Sequence, residues 1–175
     1  MVALLRAVNV GGRKLPMADL RALCGELGWK DVATYIQSGN VIFSAAGAKA
    51  SLEAELEQAI TRRFGLDVPV IVRTAAEWAA YAGSNPFPVA ARDEPNRLML
   101  LLSKAPPVKG AEDLIQAKAG AGEKVARSGD ALWIHFPGGA GTTKLTPKLI
   151  DRAIGSPATA RNHRTILKLE EMLST

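Results

Sequence analysis

Cysteine, histidine and long apolar runs are scarce in this sequence, and each scarcity excludes a class of protein. The single cysteine, Cys24, rules out an intramolecular disulfide and a thiolate metal cluster, and two distant histidines argue against a histidine-rich metal site. The clearest apolar run, residues 98–102, has the length of a strand, far below the roughly 18 residues of a membrane-spanning helix. We therefore expect a soluble protein of the cytoplasm with no metal, no cofactor and no membrane partner.

What the sequence does contain favours a folded protein and allows, without requiring, an anionic partner. Its 175 residues are 47% hydrophobic, which is enough to fill a core and excludes overall disorder. Lysine and arginine number 22 against 17 aspartate and glutamate, a net charge of +5. A basic surface attracts anions such as phosphate, without fixing the kind of molecule that carries them.

The first 74 residues predict the order strand, helix, strand, strand, helix, strand. β-Branched and aromatic residues mark the strands, and apolar residues three or four apart mark the helices. Ser38 and Gly39 predict a tight hairpin turn, and Ser51 predicts an N-cap. The predicted strands are residues 2–8, 32–37, 40–44 and 66–72, and the helices are 17–27 and 51–64.

The same order recurs after a proline-rich connector. Strands are predicted at 97–103, 124–127, 131–136 and 158–162, with helices at 111–119 and 145–154 and a terminal helix after them. The expected fold class is α+β, with two ferredoxin-like (βαββαβ) subdomains whose antiparallel sheets pack together. The predicted boundaries are 1–74 for the first subdomain, 75–95 for a linker helix and loop, and 96–175 for the second.

Polar residues near the predicted strand ends are the first candidate site. Strand alternation places Arg6 on a sheet face with apolar neighbours, where a guanidinium needs an acceptor. The other candidates come from the following loop and the hairpin: Asn9, Tyr35, Gln37, Ser38 and Asn40. Arg6 is either a ligand-binding residue or a structural cation that a carboxylate or carbonyl holds between the two halves.

Three loops combine backbone freedom with positive charge. Residues 9–14 carry two glycines with Arg13 and Lys14, and residues 137–144 carry three glycines with Lys144. Neither matches the Walker or the dinucleotide-binding pattern, and each is either an anion site or a solvated turn. Near the last helix, Arg161 and Asn162 suit an anionic group, although Asn162 is also a good helix N-cap.

No set of residues in the sequence resembles a catalytic triad. His163 has no nucleophile or carboxylate that spacing ties to it, and His135 alternates with Trp133 along a predicted strand. Cys24 falls on the apolar stripe of the first helix, as an inert core thiol does. Enzymatic activity therefore stays open, and no catalytic residue is assigned.

Several blocks of the chain resemble a bacterial family catalogued as a domain of unknown function, number sixteen ninety-seven. They are LLRAVNVGG at 4–12, TYIQSGNVIF at 34–43, SNPF at 84–87, TKL at 143–145 and TARN at 159–162. The resemblance runs nearly end to end and implies two ferredoxin-like subdomains, with no established activity. Ala7 stands where the family usually has glycine, which suggests an ordinary φ there, and His163 stands where it usually has tryptophan, which argues against stacking.

The hypothesis from the residues is a binding protein with a polar basic patch for a phosphate-bearing ligand, a nucleotide or nucleic acid. The proposed patch comprises Arg6, Asn9, Tyr35, Gln37, Ser38, Asn40, Lys144, Arg161 and Asn162. One alternative is an enzyme that holds a small phosphorylated or carboxylated substrate with the same patch. Another is a structural or protein-interaction module in which Arg6 and Arg161 fasten the two halves.

Overall fold

A computed structural model describes residues 1–9, 11–12 and 14–175. The chain divides into two compact units, the first formed by Met1–Trp78 with Leu169–Thr175 and the second by Ala79–Lys168. The elements of the first unit are β1 (Val2–Leu5), α1 (Met17–Glu26), β2 (Lys30–Tyr35), β3 (Asn40–Ser44), α2 (Lys49–Phe64) and β4 (Val70–Arg73). The four strands form one antiparallel sheet in the order β2-β3-β1-β4.

Helices α1 and α2 supply the core of the first unit. Leu20 and Cys24 of α1 and Leu56 and Ile60 of α2 are fully buried in one cluster with alternate residues of the strands. This is the apolar stripe that the 3.6-residue spacing predicts. Burial raises the pKa of the Cys24 thiol to about 12, so this cysteine is a core residue of low reactivity.

The edge strand β4 is protected by side chains of α2. Glu53 accepts a hydrogen bond from the backbone N–H of Val72 at 2.8 Å, and Glu57 accepts one from Val70 at 2.7 Å. Carboxylates thus occupy donors that an open sheet edge would present to another strand. The predicted N-cap at Ser51 is wrong, because α2 begins two residues earlier, at Lys49.

Three local expectations in the first unit are corrected by backbone conformation. The first strand ends at Leu5 rather than Val8, because the chain turns at Ala7, whose φ is +52°. The second strand ends at Tyr35, since Ile36 has a φ of +48°, so Gln37 lies in the loop and shares no strand face with Tyr35. The connection to β3 is therefore the four residues 36–39, longer than the expected Ser38–Gly39 turn.

The second unit repeats the strand order of the first. Its sheet has the order β6-β7-β5-β8, which is the same topology as β2-β3-β1-β4, and every neighbouring pair is antiparallel. The remaining elements are α3 (Ala75–Gly83), α4 (Pro88–Asp93), β5 (Leu98–Ser103), α5 (Ala111–Gln116), β6 (Lys124–Ser128), β7 (Ala131–His135), α6 (Pro147–Ile154), β8 (Ala158–Asn162) and α7 (His163–Leu173). The predicted α+β class with two ferredoxin-like halves is confirmed.

Helix α4 lies in the stretch that was expected to be an irregular connector. Pro88 is its first residue, where a fixed φ suits a helix and a missing N–H costs nothing. In the described part of the chain, the longest helix is α2 with 16 residues, and none is both long and apolar enough to cross a membrane.

Candidate functional site

Two loops of the first unit meet where β1 ends. We call them the paired loops: residues 6–16, of which 10 and 13 lie outside the described chain, and residues 36–39. The backbone N–H of Leu5 donates to the Gly39 carbonyl at 2.8 Å, and the Asn9 side-chain amide donates to the Gln37 carbonyl at 2.7 Å. The fold therefore brings together the six patch residues predicted in this half of the chain, whereas Val10 and Arg13 of the predicted glycine loop are not described.

Asn9 braces the paired loops. Its Nδ2 group donates to the carbonyls of Leu15 and Gln37, at 3.0 and 2.7 Å, and its Oδ1 atom accepts from the Leu15 N–H at 2.8 Å. Both side-chain donors are thereby used. In this structure Asn9 sets the shape of the loops rather than offering its amide hydrogens to a ligand.

Asn40 holds the second of the paired loops from inside. Its side chain is fully buried, and Nδ2 donates to the Tyr35 carbonyl at 2.9 Å and to Ser38 Oγ at 3.0 Å. A buried amide that makes both its donor bonds fixes a turn more firmly than an exposed one, because breaking it leaves polar atoms unsatisfied. Asn40 is thus a positioning residue as well, and Ser38 is one of its acceptors.

Gly39 permits the close approach of the two loops. Its φ is +76°, and a Cβ added there would lie 2.7 Å from both Leu5 Cβ and Val8 Cγ2. Real carbon atoms do not come so close without displacement, so only glycine fits at this position. The Ser-Gly pair in the sequence indicated a turn, but not this contact with β1 and the residues that follow it.

Backbone strain is concentrated in the paired loops. Among the described residues, four other than glycine have positive φ, and three of them, Ala7, Asn9 and Ile36, lie here. The fourth, Asp31, falls where the register of β2 against β3 shifts. The expectation that Ala7 has an ordinary φ is wrong: alanine adopts the left-handed conformation that glycine would take at lower cost.

The surface of the paired loops is basic and open. The exposed residues here are Gly11, Gly12 and Lys14. Arg6 is half-buried, and its backbone N–H donates to the Pro69 carbonyl. Gln37 is exposed beside Ile36, whose apolar side chain is 49% exposed. Such a surface suits a ligand that has an anionic group and a flat or apolar group. The cations and the accessible backbone can pair with the anionic group, and the apolar side chain can pack against the other group.

The other three predicted patch residues lie in the second unit, where two of them have local structural partners. Arg161 is only 7% exposed, and its Nη1 atom donates to Thr159 Oγ1 and to the Ala160 carbonyl, both at 2.8 Å. Burial lowers the pKa of Arg161 to about 10, so it is charged at neutral pH. Asn162 Oδ1 accepts from the Thr165 N–H at 2.9 Å, the N-cap arrangement at the start of α7.

Lys144 is exposed in a loop that is organised around an internal carboxylate. Glu123 is 4% exposed and accepts hydrogen bonds from Thr143 Oγ1 and from the N–H groups of Gly120 and Ala121. The bond from Thr143 is the largest of the causes that lower the pKa of Glu123 to about 2. The Thr143 hydroxyl is one of the groups that suggested an anion site, and it already donates a hydrogen bond to the carboxylate of Glu123.

His163, one of the residues considered for catalysis, is an interior residue. His163 is buried at the start of α7, with its ring centroid 6.1 Å from that of Trp133. Within the described residues, no group of three histidine, cysteine, aspartate or glutamate side chains is placed to hold a metal ion.

Fold and sequence comparisons agree on the class of this protein. It is an α+β protein of two four-stranded antiparallel sheets with ferredoxin-like topology. The chain belongs to the family described as Protein of unknown function (DUF1697), which matches residues 1–133, so the resemblance stated above is confirmed. The blocks at 143–145 and 159–162 lie beyond the matched residues.

One solved structure with the same fold is that of the conserved bacterial protein SP0830 from Streptococcus pneumoniae. It is similar to this chain with a TM-score of 0.72 over 99% of this chain and 97% of that one, at 20% sequence identity. No curated protein matches the chain significantly. At this identity the similarity establishes the fold.

Proposed function

We propose that this protein binds a phosphate-bearing anionic ligand, a nucleotide or a nucleic acid, at the paired loops of its first unit. The observation that carries the proposal is the concentration there of Ala7, Asn9 and Ile36 at positive φ. The left-handed conformation costs about 1–2 kcal/mol for alanine and isoleucine and less for asparagine, and such strain tends to collect at ligand sites. Hydrogen bonds from Asn9 and Asn40 hold the strained loops in place.

The chemistry of the loop surface favours phosphate as the bound group. Arg6 and Lys14 carry positive charge, and arginine and lysine are the side chains that most often pair with phosphate oxygens. Gly11 and Gly12 are exposed and lack side chains, which lets a ligand approach the backbone. The net charge of +5 adds a long-range attraction for anions.

Tyr35 supports a nucleotide or nucleic-acid form of the ligand. It is half-buried at the last position of β2, directly before Ile36. Nucleic-acid sites commonly combine an aromatic ring, on which a base stacks, with cations that hold the phosphates.

The proposal is tested by calorimetric titration with two probes, ADP and an oligouridine of about eight nucleotides. We expect saturable binding of at least one probe by the wild type and weaker binding by Lys14→Gln. The matched control is Lys30→Gln, which removes an exposed lysine at the opposite end of β2 and is expected to leave affinity unchanged. Absence of binding to both probes, or equal losses in the two variants, contradicts the proposal.

Salt dependence then distinguishes the two forms of the ligand. Oligonucleotide affinity is expected to fall steeply between about 50 and 200 mM salt, because each phosphate contact releases counterions. The Lys14→Gln variant is expected to reduce the slope of log affinity against log salt by about 1. If ADP binds and the oligonucleotide adds no affinity, a nucleotide is the ligand.

A further inference from the structure

A cavity of about 470 Å³ lies within the second unit, and no residue of the predicted patch lines it. It is bounded on one side by residues 86–90, which lead into and form the start of α4. The other side is polar and is formed by Asp93, Glu94, Lys124 and His135. Its volume falls in the range of about 300–1,000 Å³ that small-molecule sites occupy.

Two hydrogen bonds order the segment that leads into the apolar wall of the cavity. The Phe87 N–H donates to Asn85 Oδ1 at 2.9 Å, which fixes the turn before α4. Upstream, Ser128 Oγ donates to Ser84 Oγ at 2.7 Å. Val89 belongs to this wall and is 62% exposed, so its side chain is accessible to a ligand.

The carboxylates of the polar side are already neutralised by neighbours. Glu94 bonds to His135 Nε2 at 2.8 Å through one oxygen and accepts from Arg97 Nη1 at 2.6 Å through the other. These contacts, that with His135 first, lower the pKa of Glu94, so it is ionised at neutral pH. Asp93 is paired with Arg92 at 2.7 Å.

Lys124 is the cation of the cavity without a counter-ion. It lies directly opposite His135 in the register of β6 with β7 and is exposed. Within the described part of the chain, its ammonium group makes no hydrogen bond or ion pair with a protein group. Of the charges around the cavity, that of Lys124 is the one available to a ligand.

We propose that this cavity binds a small organic acid with an apolar body, whose carboxylate pairs with Lys124 and whose body packs against residues 86–90. A single uncompensated cation matches a monoanionic carboxylate better than a doubly charged phosphate. This ligand class differs from the one proposed for the paired loops. The two sites share no residue, so either proposal can fail without the other.

The test is a ¹H–¹⁵N NMR titration of the full chain with phenylacetate, and with 2-phenylethanol as the uncharged probe. We expect phenylacetate to shift the amide signals of Val89, Ala90 and His135 saturably, with a Kd of roughly 1 mM for so small a ligand. Phenylethanol is expected to bind about three- to fivefold more weakly, since it has no charge to pair with Lys124. Equal affinity of the two probes, or no saturable shift with phenylacetate, overturns the proposal.

Two surface variants distinguish the contribution of the Lys124 charge to binding from that of the apolar wall. Lys124→Gln is expected to weaken phenylacetate binding about three- to fivefold and to leave phenylethanol binding unchanged, whereas the control Lys118→Gln changes neither. Val89→Ser is expected to weaken both probes. Both Lys124 and Val89 are exposed, so the variants are expected to fold. Unchanged phenylacetate affinity in Lys124→Gln overturns the assignment of the carboxylate to this lysine.

Discussion

The side-chain amide of Asn9 donates to the Gln37 carbonyl 2.7 Å away and joins two loops that are 28 residues apart in the sequence. We expect Asn9→Gly to lower the free energy of unfolding by about 1–3 kcal/mol, because glycine keeps the positive φ and loses only the hydrogen bonds. Asn9→Ala is expected to lose about 1 kcal/mol more, since its Cβ remains in the left-handed conformation. Urea denaturation measures both, and values within about 0.5 kcal/mol of wild type would show that Asn9 is not a brace.

Replacement of Ala7 by glycine is expected to stabilise the protein. Alanine at a φ of +52° is strained by about 1–2 kcal/mol, and glycine offsets part of the gain through its greater freedom in the unfolded chain. The expected net gain in Ala7→Gly is about 0.5–1 kcal/mol by urea denaturation. Ala22→Gly, at an exposed position inside α1, is the control and is expected to lose about 1 kcal/mol. A loss in both variants would contradict the strained conformation of Ala7.

Glu123 is expected to make stability depend on acid pH. Its pKa in the folded protein is about 2, below the ordinary value of 4.5, so its contribution is complete above pH 4.5. That contribution declines as the pH falls toward 2 and is absent below it. Urea denaturation from pH 7 to pH 2 is therefore expected to show a smaller difference between wild type and Glu123→Gln as the pH decreases.

Two threonine variants check the cause of this pKa. Thr143→Val removes the bond from Oγ1 to Glu123, and the carboxyl pKa, followed by NMR, is expected to rise toward 4.5. Thr142→Val is the control, because its hydroxyl donates to the carbonyls of Gly138 and Gly139. Equal pKa values of Glu123 in the two variants would show that Thr143 is not the cause.

Arg161 and Arg6 are expected to respond differently to substitution. Arg161→Ala leaves the buried Thr159 hydroxyl and the Ala160 carbonyl without this donor, and we expect it to cost about 1–3 kcal/mol of unfolding free energy. Arg6→Gln is expected to weaken ADP binding and to cost less stability than Arg161→Ala, because Arg6 is half-buried and Arg161 is buried. Thermal denaturation with and without ADP measures both. A large loss of stability in Arg6→Gln would assign that arginine a structural role instead.

The repeated strand order and the core faces could be predicted from the sequence because they depend on local patterns. Residues such as Leu20, Cys24 and Leu56 lie at the spacing that one buried helix face requires, and the structure buries them. Helix α4 is not predicted, since its six residues begin at the second proline of a Pro-Phe-Pro stretch that is typical of a loop.

The details of the candidate site depend on contacts between distant residues, which no local pattern reports. Nothing in the sequence around Asn9 indicates that its side-chain amide donates to the Gln37 carbonyl. Alanine at position 7 does not indicate a left-handed conformation, although Ala7 adopts one. Likewise, Glu94 and His135 are 41 residues apart, and only the folded sheet brings them to 2.8 Å. The glycine that related sequences have at position 7 is a signal of the left-handed conformation that Ala7 adopts.

The most direct test of the central claim is a ¹H–¹⁵N NMR titration of the whole protein with ADP and, separately, with the oligouridine. Binding at the paired loops predicts saturable shifts of the amide signals of Ala7, Asn9, Gln37 and Ser38 with at least one of the two probes. The amide signals of Phe87, Val89 and Ala90 are expected to stay unchanged in the same titration. No saturable shift with either probe, or shifts confined to the second unit, would contradict a phosphate site at the paired loops.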